Sequence, residues 1–182
     1  FPFRPAQPGQ DHLTLRNTFL LISLLTGLCG MAQFPPPAGQ PGTTAIHADS
    51  SVFIAWATGC TLQRGPMDIS DPGAGLASVG DESAALGVAG TNGVVSLGDG
   101  GMAVLTFARP MTNGPGWDFA VFENSFSDTY LELAFVEVSS NGNDFFRFPA
   151  TSNTPTETQI DGFGVIDATH IDNLAGKYRA LY

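Results

Sequence analysis

Apolar and polar residues alternate most regularly in the second half of the chain. Over 102–107, Ala103, Leu105 and Phe107 fall on one face and Met102, Val104 and Thr106 on the other, the period of two that marks a strand. Over 130–140 the stripe is Ala134, Val136 and Val138, with Glu132 set between apolar neighbours. "NGND" then predicts a hairpin turn, its Asn-Gly pair suited to positive φ, and "FFRFPA" returns as the partner strand until Pro149 ends it. The run "WDFAVFEN" predicts a further, inner strand, with Phe119 and Val121 on one side and Ala120 and Phe122 on the other. It ends in a carboxylate and an amide, Glu123 and Asn124.

Upstream, Val52 to Trp56 forms the apolar core of a possible strand, and "VVSLGDGG" before "MAVLTFA" predicts two short strands around a Gly-rich turn. The intervening "RGPMDISDPGAGLASVGDESAALGVAGTNG" has no sustained period and predicts a long irregular loop. After Pro149 a polar loop leads to a weakly structured end. Beyond the N-terminal apolar segment, nothing in the pattern predicts a long amphipathic helix or a repeat. The expectation is an all-β domain, a β-sandwich of jelly-roll type.

Composition sharpens this picture. Charged residues make up 13% of 182, against 22 Gly, 13 Pro and 14 Phe, which suits short strands and tight loops. The net charge of −10 leaves no basic patch for phosphates, so a nucleic-acid partner is excluded. In "RNTFLLISLLTGLCGMA", Arg16 precedes an apolar stretch from Phe19 to Leu28 and a small-x-small end at Gly30, Met31 and Ala32. This predicts a secretory signal over 16–32, cleaved before Gln33. The stretch is too short to span a bilayer, which takes about 20 residues, so no transmembrane helix is expected in the mature chain.

Residues 1–15 hold no Met and read as upstream sequence outside the mature protein, 33–45 as a Pro-rich leader, and 46–182 as the domain. Loss of Arg4, Arg16 and Asp11 leaves 5 basic and 16 acidic residues, a balance of −11. Cys60 is then the sole thiol, expected as a small buried hydrophobe rather than a metal ligand.

"GVVSLGDGG", "NGPGWDFAVFEN", "LELAFVEVSSNGNDFFRFPA" and "NLAGKY", in this order over about 55–182, resemble a family of exported bacterial cell-surface proteins of Bacteroidetes type. The resemblance implies a galactose-binding-like, discoidin-like jelly roll. Its "VEVSSNGNDF" hairpin is similar to one found in carbohydrate-binding modules. Family members continue past "LAGKY" into further strands, so the resemblance implies an incomplete domain here.

Three chemistries are candidates. Asp99 in the Gly-rich turn, with Asp118, Glu123 and Asn124 around one strand, are hard oxygen ligands of the kind Ca²⁺ takes, and the resemblance favours a structural calcium. Glu123 and Asn124 are neighbours, so in an extended strand they point to opposite faces and meet one ion only where the backbone turns. Asp81, Glu82 and Ser83 form a second, weaker calcium candidate, for which a solvated loop charge or a helix N-cap before "SAALG" is the simpler account.

Trp56, Trp117, Tyr130 and Tyr178 are aromatics of the type that stack on sugars, although core or rim roles are the simpler account of each. For catalysis, the chain has no G-x-S-x-G, H-E-x-x-H or phosphate loop. Glu132 and Glu137 lie five apart and face opposite ways, which leaves only a carboxylate pair from different strands. The expected function is an exported, non-catalytic surface or adhesion module with calcium and a glycan or cell-surface ligand as candidate partners. The alternatives are a secreted polysaccharide hydrolase and a purely structural spacer.

Overall fold

Strand formation here follows pairing rather than local propensity. The computed structural model describes residues 33–157, 160 and 163–182. The expected signal segment and the residues before it lie outside that range. Strand β1 (Gly59–Gln63) runs antiparallel to β2 (Met102–Thr106), with Gly59 opposite Thr106 and Gln63 opposite Met102. The alternating "MAVLT" supplies the template, and "GCTLQ", which has little strand character of its own, is ordered against it. The expected strand over 52–56 does not form. Its chain turns at Ser51 and Val52, and Ile54 is 94% exposed, while Phe53 and Trp56 turn towards Phe122 instead.

Nor do the residues 94–97 make a hairpin with β2. They run beside the loop that follows β1, where Gly65 N donates to Leu97 O and Ser96 N to Val79 O. Arg64 closes the same loop, its Nη1 donating to the carbonyls of Val79 (2.9 Å) and Ser96 (2.6 Å) and its Nη2 to that of Gly80. Asp81 caps the 3₁₀ turn Glu82–Ala85, as expected, accepting from Ser83 N at 2.9 Å.

The second half carries two further antiparallel pairs. Strand β3 (Glu137–Val138) pairs with β4 (Phe146–Arg147). The loop between them contains the expected Asn-Gly turn, with Gly142 at φ 73°. Asn141 Oδ1 accepts from the amides of Asn143 and Asp144, both at 2.9 Å, which organises that loop. Strand β5 (Thr151–Ser152) pairs with β6 (Ile171–Asp172).

The expected strand over 117–124 is irregular backbone, and the stripe over 130–140 survives as β3 and a single bridge between Ala134 and Ala175. Among the described residues there is no α-helix, and no helix is long and apolar enough to cross a membrane. The all-β expectation therefore holds, among the described residues, as three two-stranded antiparallel sheets.

Residues from Phe34 to Tyr182 form one compact unit. The Pro-rich segment expected as a leader belongs to it from Phe34 onward, because two contacts from that segment and one from Ala48, just after it, reach the C-terminal residues. Phe34 N donates to Thr169 O at 3.0 Å, Ala48 N donates to Leu181 O at 2.8 Å, and the Thr44 and Tyr178 hydroxyls meet at 2.7 Å. Prolines fix φ in advance, so ordering such a segment costs less chain entropy than its length suggests.

Among the described residues the buried apolar set is thin. It consists of Ala38, Ala48, Ala57, Ala77, Leu131, Ala168 and Ile171, while Trp117, Phe126, Phe146, Phe163 and Val165 are exposed.

Candidate functional site

The loop after Glu123 builds the site by turning the chain back on itself. Ser125 is 2% exposed, and its Oγ lies between the carbonyl oxygens of Ser127 (2.8 Å) and Tyr130. Ser127 Oγ in turn accepts from the amides of Thr129 (3.3 Å) and Tyr130 (3.0 Å). Serine side chains thus replace a ladder of backbone bonds, which is why this polar stretch folds as a tight loop and not as a strand. Its base is tied down by Ala180 N, which donates to Ser125 O at 3.0 Å. Arg179 adds a second tie, Nη1 reaching both Asp128 carboxylate oxygens at 2.9 and 3.0 Å.

The turn has two consequences. The first is a row of aromatic rings. Phe126 stacks against Tyr130 with centroids 5.8 Å apart and planes 30° apart, and Tyr130 against Phe163 at 5.9 Å and 21°. Phe163 comes within reach because Ile166 N donates to Thr129 O at 2.9 Å. Phe126 is 79% exposed and Phe163 is exposed as well, so the row is a surface feature and not a core. Soluble domains seldom leave adjoining large apolar groups in water without a use for them.

The second consequence is a carboxyl pair. Glu132 returns beside Glu123, and the two side chains lie within hydrogen-bonding reach of each other. Glu123 Oε2 is buried and has no donor. Two carboxylates offer only acceptors, so the contact becomes a hydrogen bond only when one of them holds a proton. Burial first, and then the charge of Glu132, push the Glu123 carboxyl up to about 7. The amides of Asn124 and Ser125 oppose this without cancelling it. The Tyr130 hydroxyl adjoins the group: burial and then the charges of Glu132 and Glu123 raise its pKa. Ring row and carboxyl pair therefore meet at Tyr130.

Behind the pair lies the "NLAGKY" motif. Ala175 and Ala134 exchange backbone bonds at 2.9 and 3.1 Å, which sets the next residue, Gly176, against the Glu132 carbonyl. Gly176 has φ 77°, and a Cβ there would collide with that carbonyl oxygen and touch Glu123. Asn173, also at positive φ, donates from Nδ2 to Pro149 O at 2.6 Å. Lys177 is buried and donates from Nζ to Ile171 O at 2.6 Å, and burial lowers its pKa against the pull of Asp172. Of the motif, Gly176 is the residue that lies against the pair.

The expected calcium ligands have other partners. Asp99 Oδ2 accepts from Ile69 N and Asp118 Oδ1 from Gly114 N, each at 2.8 Å. Glu123 pairs with Glu132, and Asn124 is exposed. Among the described residues no three His, Cys, Asp or Glu side chains gather into a group that could hold a metal ion.

Of the four aromatics singled out in the sequence, only Tyr130 joins the row. Trp56 clusters with Phe53 and Phe122, Trp117 stands apart at 73% exposure, and the Tyr178 hydroxyl is bound to Thr44. Cys60 is free and partly buried, and burial raises its thiol pKa.

Phe126, Phe163 and the pairing of Glu132 with Glu123 escape strand-based reasoning. The available signal was "ENSFSDTYLE", two carboxylates flanking a Ser-, Asp- and Thr-rich turn that brings its ends together. Comparison with protein-family models, with curated proteins and with solved structures returns no match for this chain.

Proposed function

We propose that the chain is a non-catalytic glycan-binding module of an exported cell-surface protein, built on a galactose-binding-like jelly roll. The observation that carries this reading is the exposed row of Phe126, Tyr130 and Phe163 abutting two carboxyl groups. Sugar rings present apolar C–H faces and a rim of hydroxyls. A stacked aromatic surface takes the first, and carboxylate oxygens accept from the second. Exposure suits a ligand that arrives from outside as part of a polymer. The test is a glycan array probed with the whole chain, followed by calorimetry on the best binder. Tyr130→Ala should weaken binding by about tenfold or more while circular dichroism stays unchanged, as expected of a central aromatic contact. A chain that binds no glycan on the array overturns the proposal and favours the structural spacer.

One observation favours the hydrolase alternative: a carboxyl pushed up to about 7 is what a general acid requires. The geometry weighs against it. Glycosidase carboxyl groups stand about 5 Å or more apart to admit the scissile bond, whereas Glu132 lies close enough to Glu123 to raise its pKa by charge and by hydrogen bonding. Release of reducing sugar that disappears in Glu123→Gln would restore the enzyme.

Calcium fits the described residues poorly, since Asp99, Asp118 and Glu123 each have a different partner. An unchanged melting temperature in EDTA is the expected result, and a clear fall would bring the ion back.

A further inference from the structure

We propose that Gln33 is a modification site: once the signal segment is removed, its side-chain amide closes onto its own α-amine, and the domain begins with a pyroglutamyl lactam. This rests on the export reading above and goes beyond it.

Two independent boundaries fall at this residue. The small-x-small end at Gly30, Met31 and Ala32 sets the cut before Gln33. The compact unit starts at Phe34, whose amide donates to Thr169 O at 3.0 Å and whose ring centre lies 5.8 Å from Lys177 Nζ. The chain is already deeply buried at Ala38. A single residue, Gln33, is thus left between the cut and the fold. It is exposed and makes no hydrogen bond to the described residues.

The chemistry is particular to glutamine in first place. Hydrolysis of the Ala32–Gln33 bond frees the Gln33 α-amine. The α-nitrogen then attacks Cδ, a C–N bond forms and the Cδ–Nε2 bond breaks. One proton passes from the α-nitrogen to Nε2, which leaves as ammonia, so no oxidant, reductant or second substrate is consumed. Attacking and leaving groups belong to one residue, so the five-membered ring closes without the entropy loss of bringing two molecules together. Closure needs only a side chain free to fold back, and exposure gives Gln33 that freedom.

The contacts of Phe34 say what the lactam achieves. The Gln33–Phe34 peptide bond survives, so Phe34 keeps an amide N–H for Thr169 O. A chain starting at Phe34 would place an ammonium there instead, on the residue whose ring already faces the buried Lys177 cation. The lactam carries no charge and leaves an aminopeptidase no α-amine to recognise. Separate contacts at Phe34, Thr44 and Ala48 hold this segment to residues 169–181, and trimming from the end would remove that of Phe34 first. Ala180 and Arg179, in that same C-terminal stretch, tie down the loop that bears the ring row. A closed N-terminus therefore guards the support of the binding loop.

The experiment expresses the whole chain, signal segment included, in an exporting bacterial host. The exported protein is read by intact mass, with and without incubation with a glutaminyl cyclase. The expected mass is that of residues 33–182 less one ammonia, with an N-terminus closed to stepwise degradation until a pyroglutamyl peptidase opens it. Gln33→Ala should be cut at the same bond, keep its amine, and lose its first residue to an aminopeptidase that leaves the wild type whole.

A chain that starts at Gln33 and keeps its amine under both conditions overturns the lactam while export stands. An exported chain that starts at any other residue does the same. An uncut chain retained in the cell overturns both the lactam and the export reading. The mass readings need only the wild-type chain, so a variant that fails to fold does not remove the test.

Discussion

Residues 58–106 and residues 117–182 are ordered by opposite means. The first region is held largely by backbone against backbone, with Arg64 closing its loop. β1 and β2 pair over five residues, and the loop between them is laced by main-chain bonds such as Gly65 N to Leu97 O (2.8 Å) and Asp99 N to Pro66 O (2.9 Å). The described strands of the second region are two residues long, and side chains do much of the tying: Ser125, Ser127, Asn141, Asn173, Lys177 and Arg179.

Backbone lacing leaves few polar groups for a ligand to use. Side-chain lacing leaves some of them incompletely satisfied, and Glu123 Oε2 is the clearest example. Among the described residues, the one buried side-chain acceptor that no donor reaches, Glu123 Oε2, lies in the second region.

The comparison is tested hardest at Gly65. A Cβ on this buried glycine would collide with the Asp99 carbonyl oxygen and crowd Gly101 N, both of them backbone atoms that cannot swing aside. Gly65→Ala should cost about 3 kcal/mol or more, or abolish folding, as strain against fixed backbone does. Gly142→Ala, in the open hairpin loop with nothing nearby, should cost only about 1 kcal/mol, from its positive φ. Denaturant melts of the two variants settle the matter. Similar costs would mean that the first region yields as easily as a loop.

The same logic predicts a smaller, chemical effect in the second region. Ser125→Ala removes the one hydroxyl buried between the Ser127 and Tyr130 carbonyls and leaves both without it. The expected loss is about 1–3 kcal/mol. The ring row should loosen with it, because Tyr130 is positioned through that carbonyl. Loss of stability with an unchanged tyrosine fluorescence signal would separate the loop's stability from its placement of the ring.

How far the sequence foretold this division depends on which interactions are local. β2 was legible from the alternation in "MAVLT", the 141–144 turn from Asn-Gly, and the Asp81 cap from its position before "SAALG", because each depends on residues a few places apart. β1 was not legible, since "GCTLQ" gains its structure from a partner about forty residues away. The run "VFIAW" misled because apolar residues can serve an aromatic cluster as well as a sheet, and here Phe53 and Trp56 join Phe122 while Val52 and Ile54 face water.

Glu123 was singled out for metal binding, whereas Glu132 was weighed only against Glu137. The period-two rule sets Glu132 and Glu137 on opposite faces, but it says nothing of Glu123 once the segment between folds as a loop. The site therefore depended on the one feature that alternation does not encode, a reversal held by serine hydroxyls.

A third effect, of intermediate size, follows from the pair itself. The folded Glu123 carboxyl titrates at about 7 against an ordinary 4.5, so between these values the folded chain holds a proton that the unfolded chain has lost. The stabilising contribution is therefore complete below pH 4.5 and lost as pH rises through 7. For a half-buried group, solvent screening reduces the full linkage value to about 1–2 kcal/mol. Glu123→Gln cannot ionise and still offers a donor to Glu132, so its stability should stay flat over this range and exceed that of the wild type at pH 8. Melting curves at pH 5 and pH 8 check the sign. A wild type that gains stability over this interval would mean that the carboxyls are not paired in solution.

The smallest effect is expected at an ion pair that resembles the acid pair in sequence setting but lies in water. Glu137 and Arg147 face each other across β3 and β4, with Nε 2.8 Å from Oε1, and the Arg147 guanidinium lies 4.2 Å from the centre of the Phe135 ring. The Arg147 side chain is 55% exposed and that of Glu137 33%, so water competes for both charges. A double-mutant cycle with Glu137→Gln and Arg147→Gln should give a coupling of only about 0.2–1 kcal/mol, falling further at high salt. Arg147→Lys keeps the charge but loses the flat stack on Phe135, so it should cost nearly as much as Arg147→Gln if the ring contact is the larger part. A coupling above about 2 kcal/mol would place this exposed hairpin pair on a par with the buried groups of the 125–130 loop. Burial would then no longer explain why Glu123, and not the hairpin, holds the unsatisfied acceptor.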